Sequence, residues 1–219
     1  MEYYENNLIN SEFIIDPFIH RKYKLFSDQL CNDLIENFIS IKNYMTKSSG
    51  ISQSRFMICI TGDTINGLNY GNYSFLKEIN PINNILLEYN NVILPNLNKV
   101  YGFNGNIKYQ INLVYDTKNY EIGPHTDSYN RKITNIVYLV PVNDYGKNIG
   151  VSLYKDLINR HQHKWEKTHY SFDNFEKIDQ VSYYPGSSVD FKVSKNSFHG
   201  VKSIEYKCNR MSIQSIIWK

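Results

Sequence analysis

The chain predicts a mostly β protein with its helices confined to the N-terminal part (α+β), a jelly roll or β-sandwich core buttressed by helices. Three observations carry that expectation. Apolar residues recur at helical spacing in the first hundred positions, the pattern switches to period two near residue 107, and short apolar runs then alternate with turn-rich segments to the end.

In chain order, residues 12–15 read as a short strand. Ser27 then offers an N-cap with Asp28 in the first turn, and Leu30, Leu34, Phe38 and Ile41 follow on one helical face. Residues 55–60 read as a strand. A second helix opens at Pro81, where a missing N–H costs nothing, and carries Ile82, Ile85, Leu86, Tyr89 and Ile93 until Pro95 stops or kinks it.

From Ile107 onward, Tyr109, Ile111, Leu113 and Tyr115 alternate with Lys108, Gln110 and Asn112, as a half-buried strand requires. Further strands are expected over 132–140, 150–155, 180–183, 187–193 and 209–218, separated by turns such as 143–148 and Tyr184-Pro185-Gly186. Residues 156–179 read as one long irregular stretch, holding Arg160, His161, His163, Trp165 and His169; loops of that length are usually functional or mobile. At 219 residues a single domain over 1–219 suffices, with 1–104 as mixed helical support and 105–219 as the jelly-roll core.

Composition excludes several classes. There is no alanine, while Asn, Ile, Lys and the 19 tyrosines are abundant, so tyrosine-rich stretches carry little functional weight. A net charge of +3 with scattered basic residues gives no nucleic-acid footprint, and no dedicated nucleic-acid binding is expected. Cys31, Cys59 and Cys208 lie far apart and outside any C-x-x-C spacing, which disfavours disulfides and zinc and favours reduced thiols. No signal-peptide pattern or membrane-length apolar run is present, so a soluble cytoplasmic protein without membrane association is expected.

The chemistry concentrates in Gly123-Pro124-His125-Thr126-Asp127. On an extended strand residues i and i+2 share a side, so imidazole and carboxylate can converge on one ion. Phe198-His199-Gly200 follows a strand more than seventy residues later, and Arg210-Met211-Ser212 comes eleven positions after His199. Two imidazoles and one carboxylate leave coordination positions open, as non-haem Fe(II) chemistry requires, whereas a structural zinc site closes all four. The planar guanidinium of Arg210 suits the far carboxylate of a diacid, and Ser212 would share its face.

Taken together, Gly-Pro-His125-Thr-Asp127, the distal His199 and Arg210-x-Ser212 resemble the iron and co-substrate signature of the Fe(II)/2-oxoglutarate-dependent oxygenases, prolyl-hydroxylase-like branch, over about residues 105–218. The resemblance implies a double-stranded β-helix (jelly roll), catalysis at a metal held by His125, Asp127 and His199, and 2-oxoglutarate held by Arg210 and Ser212. It further implies Tyr115 near the metal end of the co-substrate and Tyr138 beside the arginine, although both also read as core aromatics. The implied cofactors are Fe(II), 2-oxoglutarate and O2, with ascorbate stimulation. The family's halogenating members lack the metal carboxylate; Asp127 is present, so hydroxylation of a small-molecule, sugar or amino-acid/protein substrate is the expectation.

Two other readings stay open: a cupin-like metal-binding protein or isomerase that does not use 2-oxoglutarate, and a non-catalytic interaction module built on Trp165, which otherwise pins its loop. His20, His161, His163 and His169 are expected to be ordinary core or surface histidines. The His161-x-His163 pair lacks a partnering carboxylate and ranks below the His125 site.

Overall fold

The structure, a computed structural model, describes residues 7–48, 54–159, 169–205 and 208–218. Among these, twelve strands form two antiparallel sheets, accompanied by a helical turn over 7–10 and three longer α-helices. The strands are β1 (His20–Lys24), β2 (Thr46–Lys47), β3 (Arg55–Asp63), β4 (Gly67–Asn69), β5 (Lys108–Asp116), β6 (Ile122–His125), β7 (Arg131–Leu139), β8 (Ser152–Asp156), β9 (Phe175–Gln180), β10 (Ser187–Lys192), β11 (His199–Val201) and β12 (Arg210–Trp218). The helices are α1 (Asp28–Ile41), α2 (Asn80–Glu88) and α3 (Leu94–Val100).

The larger sheet runs β1-β10-β7-β12-β5-β3-β2, with β4 on β3, and the smaller runs β6-β11-β8-β9. β1 to β4, from the first hundred residues, are thus strands of the same sheet as β5, β7, β10 and β12.

α1 begins as its sequence dictates: Ser27 Oγ accepts from the Leu30 N–H at 3.2 Å and satisfies one of the orphan donors of the first turn. Its Leu34 and Phe38 join Ile82 and Leu86 of α2 and the odd-numbered residues Ile111, Leu113 and Ile213 of the sheet in one apolar cluster. A second cluster joins Ile136, Tyr138, Val189 and Phe191 of the larger sheet to Leu153 and Val201 of the smaller, so the two sheets share a core. No helix among the described residues is long and apolar enough to cross a membrane. The three cysteines are free, Cys31 and Cys208 buried and Cys59 half-buried.

Several expectations are corrected. Over 12–15 only Ile14 makes an isolated bridge, to His20, and the edge strand is β1. Its sequence, His-Arg-Lys-Tyr-Lys, hides the inward residue: Arg21 is fully buried because Asp190 takes its Nε and Nη2 at 3.0 and 2.8 Å. Pro95 does not stop the second helix. A π-turn over Tyr89–Ile93 widens the coil ahead of it, and Pro95 falls in the first turn of α3, where its lost donor is tolerated.

The expected strand over 180–183 ends at Gln180 and begins at Phe175, inside the stretch read as irregular. β9 is a polar edge strand, Phe-Glu-Lys-Ile-Asp-Gln, whose composition guards an exposed edge and masks its period. β6 and β11, four and three residues long, are too short to show a period.

Candidate metal centre

His125 closes β6 and His199 opens β11, and these two residues face each other across the antiparallel pair. Two neighbouring glycines permit close approach, Gly200 to β6 and Gly123 to the chain at Tyr170. A Cβ on Gly200 would lie 2.7 Å from the Ile122 carbonyl oxygen, and one on Gly123 would lie 2.3 Å from that of Tyr170. Asp127 follows two residues beyond β6, and one ligand atom from each of His125, Asp127 and His199 lies within 4.8 Å of the others.

Backbone carbonyls set the imidazoles. His125 Nδ1 lies 3.0 Å from Gly123 O and His199 Nδ1 3.0 Å from Ser197 O, which leaves each Nε2 lone pair for an ion. His199 Nε2 stands 4.0 Å from Asp127 Oδ2. Burial is the largest influence on His125 and lowers its pKa, His199 lowers it further, and Asp127 opposes both; the ring is neutral, as a ligand must be. For Asp127, burial pushes the pKa up, but Arg131, the two histidines and the Thr134 hydroxyl outweigh it and hold the carboxyl below its usual range. Arg131 Nη1 contacts Oδ1 and Thr134 Oγ1 donates to Oδ2, both at 2.5 Å.

The three side chains line a cavity of about 310 Å³ between the sheets. Two neutral nitrogens and one ionised oxygen, facing a cavity on one side, fit a divalent transition-metal ion that keeps open positions.

Arg210 starts β12 and lines the same cavity. Its Nε donates to Ile149 O at 2.8 Å, Nη2 to Tyr138 Oη at 3.0 Å, and Nη1 to Asp116. Tyr138 is therefore at the arginine, and its hydroxyl also accepts from Val151 N at 2.8 Å. Ser212 is buried and accepts from the cavity-lining Gln214 at 3.2 Å.

Tyr115 is a correction. It packs in the helix-covered cluster, donates to Asn209 Oδ1 at 2.5 Å, and lies under Lys42 at 4.2 Å. Period two places it with Ile111 and Leu113, on the face opposite the cavity-lining Gln110 and Asn112.

His169 lies at the cavity wall with its ring 4.7 Å from that of His125, and it is not one of the three residues whose ligand atoms converge. His20 is buried, with Nδ1 2.8 Å from Phe18 O and Nε2 3.8 Å from Asp179 Oδ2. His161, His163 and Trp165 lie outside the described residues. Asp116, Arg55, Arg131 and Thr134 also belong to this site region. Asp116 and Thr134 share the parity of the cavity-lining Asn112 and Ile136 on their strands, whereas Arg131 falls on the other parity, next to an irregularity in the β7–β12 register.

No family model and no curated protein matches the sequence. Solved structures do match. HygX from Streptomyces hygroscopicus, determined with nickel and 2-oxoglutarate bound, is 9% identical over 91% of this chain and 82% of its own, with a TM-score of 0.56. The dioxygenase for auxin oxidation 1 from Arabidopsis thaliana, in complex with 2-oxoglutarate, is 12% identical over the same shares, at 0.52. A prolyl hydroxylase from Trichoplax adhaerens, in complex with a hypoxia inducible factor peptide fragment, is 15% identical over 99% of this chain and 88% of its own, at 0.50. The class that this chain resembles in fold is thus the Fe(II)/2-oxoglutarate oxygenases.

Proposed function

We propose that the protein is an Fe(II)- and 2-oxoglutarate-dependent dioxygenase with a double-stranded β-helix core in a single domain, hydroxylating a small-molecule, sugar or amino-acid/protein substrate. The observation that carries this reading is the convergence of His125, Asp127 and His199, with both Nε2 atoms left for an ion, on a cavity that also holds Arg210. Iron in that position would supply the redox chemistry that joins O2, 2-oxoglutarate and a substrate C–H bond.

The chain supplies placement. Gly123 O and Ser197 O fix the imidazole tautomers, while Arg131 and Thr134 hold Asp127 ionised and oriented. Arg210 and Tyr138 offer charge-assisted and neutral donors to the far carboxylate of the co-substrate, with Ser212 on the same strand face. The two sheets flank a site where position rather than acid–base work is the protein's task.

The test is the anaerobic visible spectrum of the protein with Fe(II) and 2-oxoglutarate. A charge-transfer band is expected, followed on admission of O2, with ascorbate present, by succinate; absence of both overturns the reading.

One observation favours a second reading, a cupin-like metal protein or isomerase without 2-oxoglutarate: Asp116 already occupies part of the Arg210 fork. Calorimetric binding of 2-oxoglutarate that is lost in Arg210→Ala would rule that second reading out.

A further inference from the structure

Three adjacent strands place one charged row across the larger sheet. Arg55 of β3 and Arg210 of β12 are each the cross-strand partner of Asp116 at the end of β5. Asp116 is fully buried and accepts Arg55 Nε at 2.7 Å on Oδ1, Arg55 Nη2 at 2.9 Å on Oδ2, and Arg210 Nη1 on Oδ2 as well. Tyr120 lies against both guanidiniums, its ring centroid 4.4 Å from Arg55 Cζ and 5.6 Å from Arg210 Cζ. All but Asp116 line the cavity that holds the metal triad.

Charge and donor counts both leave something over. Two guanidiniums against one carboxylate leave one positive charge in a buried place, and buried charge is stable only when paired. Arg210 spends Nε, one Nη1 hydrogen and one Nη2 hydrogen on Ile149, Asp116 and Tyr138. Arg55 spends only Nε and one Nη2 hydrogen, so its Nη1 has no hydrogen-bond partner among the described residues, and its side chain keeps 17% exposure against 1% for Arg210.

We infer that the anion subsite of this cavity is a two-arginine clamp braced on Asp116. In it Arg55, from the first half of the chain, supplies the main remaining N–H donors for one ligand carboxylate. Asp116 cancels one of the two charges, so the clamp carries a single excess charge, matched to a monoanionic terminus such as the far carboxylate of a keto-diacid. Tyr120 lies within cation–π distance of both arginines and helps to hold them in place. The inference rests on the proposed use of 2-oxoglutarate for the ligand's identity, and on the cluster's own charge for the subsite.

The experiment compares wild type with Arg55→Met and Arg55→Gln, each loaded anaerobically with Fe(II). 2-Oxoglutarate and 2-oxobutyrate, which shares the chelating keto-acid end but lacks the second carboxylate, are titrated by the charge-transfer band. Glutarate, which has both carboxylates and no keto group, is titrated by calorimetry. Expected are a loss of about 30-fold in 2-oxoglutarate affinity in both variants, the size of a charge-assisted contact, and unchanged 2-oxobutyrate affinity. Equal weakening of the two keto acids, or no weakening of either, overturns the clamp while leaving the oxygenase reading in place. If wild type gives no band, that reading falls. Glutarate then decides the clamp alone: binding that Arg55→Met abolishes supports it, and absent or unaltered binding overturns it. Circular dichroism and the melting temperature establish that both variants fold.

Discussion

The two faces of the larger sheet use the same strands for opposite purposes. On the face toward α1 and α2, Ile111, Leu113 and Ile213 bury hydrocarbon against Leu34, Phe38 and Leu86. On the face toward the smaller sheet, residues of the opposite parity, Asn112, Arg210, Gln214 and Thr134, line the cavity. The helix-covered face gains free energy roughly in proportion to apolar area removed from water. The cavity face buries polar groups, which is tolerable only where each finds a partner, as Thr134 does at Asp127 and Arg210 does at Asp116 and Tyr138. The difference teaches that stability and chemistry can be altered separately in this protein.

The sharpest way to break that separation is Asp127→Asn. Loss of the anionic ligand should lower Fe(II) or Mn(II) affinity by more than about 100-fold, since even residues that merely orient ligands are worth 10- to 100-fold. The Thr134 contact can persist, so metal-free stability to urea should change by only about 1 kcal/mol, the scale of the partly exposed Arg131 pair. A large stability loss would mean that the cavity face also holds the fold together.

Leu113→Ala is the mirror experiment. Leu113 is fully buried under the helices, and its truncation should cost about 2–5 kcal/mol in urea unfolding while the folded fraction keeps its metal affinity within about threefold.

Acid should act through the cavity face. The His125 pKa is lowered in the folded protein by burial and by His199, so between that value and the ordinary imidazole pKa the unfolded chain binds the extra proton. Stability of the metal-free protein should therefore fall as pH drops below about 6.5, with His125 contributing at most about 1.4 kcal/mol per pH unit. Asp127, also lowered, is protonated in the unfolded chain first and adds a loss below about 3.9. His125→Gln should flatten the first slope, read as chemical-denaturation free energy at a series of pH values with a chelator present; an unchanged slope would sink the assignment.

The smallest effect lies at the far end of the helix-covered face. Ser27→Ala removes the cap that accepts from Leu30 N and should cost about 1 kcal/mol in melting experiments, with no change in 2-oxoglutarate or metal binding.

Much of this division is legible in the amino-acid sequence. The Ser27 cap and the alternation of β5 are local or strictly periodic signals, and the types and order of His125, Asp127, His199 and Arg210 can be read along the chain. The placement of Tyr115 was legible too, because it shares parity with Ile111 and Leu113; the family resemblance pointed the other way, and parity prevails because a one-residue offset reverses the face. β1 and β9 left no such trace. The inward residue of β1 is an arginine whose burial is possible only because Asp190, far along the chain, meets it, and β9 is a polar edge.

By itself, then, the sequence determined where helices begin, which strand residues share a face, and which three side chains have the types and order of a metal set. Those properties depend on neighbours a few bonds away, on backbone geometry and on side-chain chemistry. Only the tertiary structure decided that His125 faces His199 across β6 and β11, that His169 stands beside them, and that Asp116 lies between Arg55 and Arg210. Each of those meetings joins residues tens of positions apart; strand register, which no local propensity encodes, sets the first and the last, and the packing of a loop against β6 sets the place of His169.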